Sequence, residues 1–387
     1  MLVDKIILKK VMREKKEKLN IILCGGGTGG HIFPMISIAD QFMKNNNNNK
    51  ILFVGSRDRM EMQIVPKYNY PIIGLWISGI KRSSFILNLL FIGIPFLIKN
   101  FSLPFKLVSS VIRSIVILLK NKPDIVIGFG GYSSGPFLYV ASLLNYKTAI
   151  QEQNSYLGYT NKILSTRVDL IFVAYDNLKK VMTNKNIFNF GNPLRKLSLK
   201  SNEDAFSYFN INRNKKTILV LGGSLGAKSI NEGILNNLSL IRESSFQIIW
   251  QTGNYYYDEI ISQNLNEDNL IIKPFIQKMN LAYYAADLII SRAGAIAISE
   301  LCVVSKPLIL IPSPNVVDDH QNKNAEEIFD KGGCIIINDL DAKEIMLKES
   351  IALLEDKRKM DLMSESLKKL SKPNASHDIV NKVYEIL

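Results

Sequence analysis

The chain has 387 residues, 47% of them hydrophobic, and a net charge of +13 from 48 Lys and Arg against 35 Asp and Glu. That length and apolar content predict about two globular domains and exclude a disordered or fibrous chain. The basic balance calls for a partner rich in negative charge: nucleic acid, anionic lipid or an anionic substrate.

A charged leader, residues 1–19, is Lys-rich but holds acidic residues and no long apolar run, so no signal peptide is expected. Short β-branched runs then alternate with longer amphipathic segments, the pattern of a parallel α/β protein. The first-half strands are "NIIL", "KILFVG", "DIVIGFG", "KTAIQE" and "DLIFVA". From Phe190 to Lys216 the chain loses strand character and gains polar residues, marking a domain boundary. The pattern restarts with "KTILVLGGS", "FQIIWQTG", "NLIIKPF", "DLIISRAG", "PLILIPS" and "GCIIIN". Two Rossmann-like units imply a cleft between them. Cys24, Cys302 and Cys334 sit in or beside apolar runs without metal-ligand spacing and read as reduced core thiols of a cytosolic protein. The asparagine run Asn45 to Asn49 reads as a low-complexity loop with no chemistry.

Charge is unevenly spread. No acidic residue lies between Glu61 and Asp124, a stretch holding Lys67, Lys81, Arg82, Lys99, Lys106, Arg113, Lys120 and Lys122. Residues 83–98 are uncharged, too short for the roughly 20 residues of a membrane span. Lys99, Lys106, Arg113 and Lys120 recur every seven residues, and those beyond a helix start at Pro104 share one helix face among aliphatic residues. An apolar surface edged by cations suits an anionic membrane; a buried helix pair with a solvated basic rim is the other reading. Nucleic acid is disfavoured, because the cations come with aliphatic rather than stacking aromatic side chains.

Four strand-to-helix turns carry candidate chemistry. "CGGGTGGHIFP", from Cys24 to a helical segment starting near Pro34, can crowd backbone N–H groups round a phosphate. Gly25, Gly27 and Gly30 match the dinucleotide spacing, but the next strand ends in Gly55 and Ser56 rather than a ribose-binding acid, which disfavours a nicotinamide or flavin. "GGYSSGP" follows a second strand, and "GGSLGA" offers the Ser224 hydroxyl and N–H groups as another phosphate cradle. "SRAGAIAISE" puts Glu300 in a helix after Gly294, where a carboxylate can accept both ribose hydroxyls. His31 lies at the expected start of a helix, suited to a neutral base or to a packing role. Asp339 and Asp341 read as a helix N-cap rather than a metal site.

Taken in order, "GGGTGGHIFP", "FVGSRDRMEMQIVP", "GFGGYSSGP", "QEQNSYLGYTNK", "GNPLR", "GGSLGA", "QTG", "FIQKMNLAYYAADLIISRAGAIAISE" and "DDHQNKNA" resemble the MurG family over essentially the whole chain beyond the leader. MurG enzymes add N-acetylglucosamine to lipid I, the membrane-bound peptidoglycan precursor. The resemblance implies a GT-B fold, α/β, with two Rossmann-like domains facing across a cleft. It implies an N-terminal acceptor and membrane domain over 20–195, a donor domain over 196–371, and a C-terminal helix over 372–387 returning to the first domain. UDP-N-acetylglucosamine would be held by Ser224, by the Ile276 backbone, by Ala295, Ile296, Ala297, Ile298, Ser299 and Glu300, and by Gln321, with Thr28, Gly29, Gly30, Asn154 and Arg195 also in contact. The lipid-linked acceptor diphosphate would lie against the first two glycine loops. His31 is the leading base for inverting transfer to the muramoyl 4-hydroxyl, and Glu152 the alternative. Gln151 stands where many members have His and is not an essential base. No cofactor is implied, and Mg²⁺ assistance stays open. The expected place is the cytoplasmic face of the inner membrane. A UDP-sugar 2-epimerase, or another glycolipid transferase, of the same fold is the competing reading.

Overall fold

The computed structural model describes residues 18–79, 101–182, 186–195, 204–265 and 267–387. The leader up to residue 17, the uncharged run 83–98, Lys81, Arg82 and Lys99, and residues 196–203 of the polar boundary segment lie outside them. The chain forms two compact units: residues 1–153, Leu157–Pro193 and Asn374–Leu387 make the first, and Asn154–Tyr156 with Leu194–Pro373 the second.

The first unit is built on a seven-stranded parallel sheet in the order β3-β2-β1-β4-β5-β6-β7. Its strands are β1 Asn20–Cys24, β2 Lys50–Ser56, β3 Ile72–Leu75, β4 Ile125–Gly128, β5 Lys147–Glu152, β6 Leu170–Val173 and β7 Ile187–Asn189. Alternate residues of β1 feed two cores, Ile21 and Leu23 one, Ile22 and Cys24 the other, as a sheet covered on both faces requires. Helix α1, Gly29–Asn45, brings Ile32, Met35, Ile36 and Phe42 to the first core, where Ile379, Val380 and Val383 of the C-terminal helix join it.

Helix α1 starts at Gly29, five residues ahead of the start expected near Pro34, so Pro34 lies inside it. Burial of Ile32, Met35 and Ile36 outweighs the weak helix preference of the glycines. The asparagine run is also more than a loop. Asn49 is buried, its Oδ1 accepting the Leu19 N–H at 2.9 Å and its amide donating to the Phe42 carbonyl and the Tyr384 hydroxyl. It ties the start of β1 to the end of α1 and to the C-terminal helix.

Helix α2, Glu61–Ile64, follows β2, and α3, Leu103–Asn121, precedes β4. Helix α3 buries Ser110 and Ser114 beside Ile117 and Leu118, while Phe105, Val108, Ile112, Val116 and Leu119 are more than half exposed. The serines tolerate burial because their hydroxyls donate to the Leu107 and Ser110 carbonyls. Among the described residues, no helix is long and apolar enough to cross a membrane.

The second unit has a six-stranded parallel sheet in the order β10-β9-β8-β11-β12-β13. Its strands are β8 Thr217–Leu221, β9 Gln247–Gln251, β10 Leu270–Lys273, β11 Leu288–Ser291, β12 Leu308–Leu310 and β13 Ile335–Ile336. Asp341 is the N-cap residue of the following helix Ala342–Glu355, without a side-chain cap bond, while the Asp339 carboxylate accepts from the Arg292 guanidinium and the Ser229 hydroxyl. The three cysteines are free and buried, and burial pushes the Cys302 and Cys334 thiols up to about 12.

Candidate functional site

In each sheet the order reverses between the first strand and the fourth, β1 against β4 and β8 against β11. Ligands of open α/β sheets bind outside the carboxyl ends of the strands at such a point. All four candidate turns follow these strands.

In the first unit the two glycine loops touch backbone to backbone. Gly131 has φ +82°, and a Cβ there would meet the Gly26 backbone; a Cβ on Gly25 would lie 3.1 Å from the Gly130 carbonyl. Two N–H groups expected to cradle phosphate are already committed. Gly25 donates to the Val54 carbonyl at 3.1 Å, and Gly27 to Glu61 Oε2 at 2.9 Å. The anion-binding part of the loop narrows to the first turn of α1, where the N–H groups of Gly29 and Gly30 have no acceptor within the helix. Thr28 is the exposed N-cap residue, with its hydroxyl 3.4 Å from His31 Nδ1.

His31 sits in that first turn, half-buried, with Nδ1 2.8 Å from the Gly26 carbonyl oxygen. A carbonyl only accepts, so Nδ1 carries the proton and the neutral ring keeps its lone pair on Nε2. Nε2 faces Gly130, where a Cβ would come within 3.1 Å of it. Glu152, at the end of β5, is buried; its Oε2 accepts from the Gly158 N–H at 3.0 Å and the Asn161 amide at 2.8 Å. Gln151 is buried as well and donates to Asn192 Oδ1 at 2.8 Å.

In the second unit the "GGSLGA" loop leads into α4, Lys228–Leu235. Ser224 is exposed on it, and its carbonyl accepts the Asn254 N–H at 3.1 Å. The "QTG" segment locks this loop from beneath: Gly253, at φ +83°, has no room for a Cβ against the Gly226 backbone. Ile276 is buried, and its N–H donates to Gln251 Oε1 at 2.9 Å, which leaves its carbonyl as the backbone group for a ligand.

Helix α5, Ala295–Val304, starts after its N-cap Gly294. Ile296 and Ala297 place their N–H groups in its first turn, whereas the Ile298 side chain is buried in the core and its N–H donates to the Gly294 carbonyl at 2.9 Å. The Ser299 hydroxyl donates to the Ala295 carbonyl at 2.9 Å. Glu300 takes a bond from the Tyr283 hydroxyl at 3.4 Å. Burial pushes its carboxyl above the usual range, with the Arg195 charge and the Tyr283 hydroxyl opposing. Arg195 is itself exposed. Gln321, on α6 His320–Phe329, accepts the Ser313 N–H at 2.9 Å. Asn154 belongs to this unit by its contacts; its Oδ1 accepts from Asn324 Nδ2 at 3.2 Å.

Sequence reasoning missed the residues that hold these loops: Glu61 in the first unit, and Gln251 and Asn324 in the second. Gln251 is buried, with its amide donating to the Gly223 carbonyl at 3.1 Å while its oxygen holds Ile276. Asn324 is fully buried and accepts the Ser155 N–H at 2.8 Å. Gln251 ends an apolar strand, Glu61 opens α2 and Asn324 lies within α6, and at all three a solvated polar side chain is the ordinary expectation.

Residues 21–173 match the glycosyltransferase family 28 N-terminal domain and residues 217–381 its C-terminal domain. The UDP-N-acetylglucosamine–N-acetylmuramyl-(pentapeptide) pyrophosphoryl-undecaprenol N-acetylglucosamine transferase of Christiangramia forsetii is 46% identical, over 96% of this chain and 99% of that protein. The crystal structure of Acinetobacter baumannii MurG has a TM-score of 0.72 at 27% identity, covering 95% of this chain and 99% of that one. A UDP-N-acetylglucosamine 2-epimerase from Neisseria meningitidis, bound to its nucleotide sugar, is alike in fold alone, with a TM-score of 0.62 at 16% identity and coverage of 95% and 100%. Two Rossmann-like parallel-sheet units make this a GT-B protein, and the chain belongs to the MurG family of N-acetylglucosamine transferases within glycosyltransferase family 28.

Proposed function

We propose that this chain transfers N-acetylglucosamine from UDP-N-acetylglucosamine to the 4-hydroxyl of the muramoyl sugar of lipid I, giving lipid II for peptidoglycan synthesis. The observation that carries this reading is the full-length likeness to a transferase of that name. The donor lies on the second unit. Its diphosphate meets Ser224 and the "GGSLGA" backbone, its ribose hydroxyls donate to Glu300, and its uracil N3–H donates to the Ile276 carbonyl, the Ile276 N–H being taken by Gln251. Gln321 and Asn154 reach the sugar. The acceptor diphosphate lies at the start of α1, against Thr28, Gly29 and Gly30.

The acceptor 4-oxygen attacks the anomeric carbon from the face opposite UDP. As the new C–O bond forms, the bond to UDP breaks and its electron pair leaves with the β-phosphate. The hydroxyl proton passes to His31 Nε2, and the imidazolium later gives it to water. Glu152 Oε2 is engaged by the Gly158 N–H and the Asn161 amide, so it braces the segment that follows β5 while His31 takes the proton. Arg195 and the N-termini of α4 and α5 supply positive charge for the departing UDP. Mg²⁺ is an optional aid to the diphosphate, not a required group.

The acceptor's polyprenyl tail requires a membrane, and α3 offers the contact surface. Phe105, Val108, Ile112 and Val116 line an apolar groove of about 960 Å³, with Arg113 and Lys120 in its wall. The enzyme rests there peripherally, on the cytoplasmic face. Purified protein given UDP-N-acetylglucosamine and a lipid I analogue should yield the disaccharide and UDP one for one. Epimerised donor formed without acceptor, or donor binding without transfer, would overturn the reading.

A further inference from the structure

The first glycine loop rests on a carboxylate that the mechanism above does not use. Glu61 is fully buried at the start of α2, with Oε1 accepting the Ser56 N–H at 2.8 Å and Oε2 the Gly27 N–H at 2.9 Å. Two N–H donors, one on each oxygen, are the bonding pattern of an ionised carboxylate. The Gly27 N–H and the Gly26 carbonyl are the two ends of one amide group. At its other end that amide accepts the His31 Nδ1 proton at 2.8 Å. Carboxylate, amide and imidazole are therefore linked in series by two hydrogen bonds.

We infer that Glu61 is a positioning residue for His31: through the Gly26–Gly27 amide it fixes the ring in the tautomer with Nε2 unprotonated and strengthens Nε2 as a base. This rests on the reading of His31 as the base. A bond at each end polarises the amide, so the carbonyl oxygen accepts more strongly than an amide bonded at one end alone. When Nε2 takes the acceptor's hydroxyl proton, the ring becomes a cation whose Nδ1–H still points at that oxygen. The Glu61 charge, relayed by the amide dipole, stabilises the cation, and no proton moves to Glu61. The arrangement does the work of a carboxylate bonded directly to Nδ1, with one amide interposed.

Glycine clears the space for it. Gly26 has φ +149°, and a Cβ there would run into the Glu61 carboxylate; one on Gly55 would lie 2.5 Å from Glu61 Cγ. Among the described residues, the neighbouring segments also carry the exposed Arg57, Asp58 and Arg59, in the turn before Glu61, the exposed Tyr132, beyond Gly131, and the buried Cys24 thiol, before Gly25.

The test is nitrogen NMR on the full chain labelled at its three histidines, His31, His320 and His377, assigned with His31→Ala. Neutral His31 should show the Nδ1–H tautomer. In Glu61→Gln, whose amide sets a donor against a donor, its protonation midpoint should fall by about one pH unit. The acid limb of kcat/KM for the lipid I analogue should move with it, leaving the donor KM unchanged. An Nε2–H tautomer in the wild type, or an unmoved His31 midpoint in Glu61→Gln, overturns the inference. Should that variant not fold, the wild-type Gly26 carbonyl and Gly27 amide resonances must titrate with the His31 midpoint, and their failure to do so overturns it equally. Full kcat in His31→Ala beside an intact NMR linkage would remove the base reading and leave the coupling standing.

Discussion

Gln251 holds Ile276: its side-chain oxygen accepts the Ile276 N–H at 2.9 Å, while its amide donates to the Gly223 carbonyl at 3.1 Å. One buried amide thereby sets the distance between the segment assigned to uracil and the loop assigned to the diphosphate. Gln251→Leu leaves a buried N–H and a carbonyl unpaired, at about 1–3 kcal/mol each. The expected result is a donor KM raised roughly tenfold, the scale of 1.4 kcal/mol, with the acceptor KM within about twofold. An equal rise in both KM values would argue for general loosening instead.

With Glu300 as the proposed ribose ligand, donor binding should depend on pH. Burial raises its folded-state value above the ordinary 4.5, so the donor-free protein keeps it protonated to higher pH than the unfolded chain does. That difference stabilises the fold at low pH and is lost as pH climbs through the raised value. Ribose hydroxyls need the ionised carboxylate, so donor binding expels a proton, and the donor KM should fall as pH rises through the same window. At the limit the slope is about tenfold per pH unit. Glu300→Gln should give a higher donor KM with no such slope. A flat wild-type profile above pH 4.5 contradicts the assignment.

The α3 face should carry the protein to membranes. In flotation with vesicles containing anionic lipid, Ile112→Asp with Val116→Asp should abolish binding. Replacing Arg113 and Lys120 by Gln should weaken it by roughly 30-fold at low salt, on about 1 kcal/mol for each cation. Soluble transfer to a short-chain acceptor should be unaffected. Binding indifferent to both pairs would assign the face to some other contact.

Much of this architecture is legible in the residues, and the exceptions have physical causes. Every strand of the second sheet follows a β-branched run, as do the five inner strands of the first; β3 and β7 were missed. Those two are edge strands of four and three residues, mostly half-buried, with one neighbour each and thus little apolar pattern to read. The glycine loops stand out by composition, but which of their N–H groups stay open does not. Gly27 is taken by Glu61, 34 residues on, and Ile276 by Gln251, 25 residues back. Periodicity separates core-facing from solvent-facing side chains; it carries no information on which distant backbone group a buried carboxylate or amide will meet. Asn49 is hidden for the same reason, being the one asparagine of its run that turns inward to the Phe42 carbonyl and Tyr384.

Transfer of N-acetylglucosamine with His31 as base is tested most directly by single-turnover kinetics. Wild type and His31→Ala would each be saturated with UDP-N-acetylglucosamine and mixed with a lipid I analogue. The account predicts disaccharide from the wild type and a rate at least about 100-fold lower in the variant, the usual worth of a general base, with donor affinity unchanged. A variant rate within a few-fold of wild type, or no disaccharide from either protein, would contradict it.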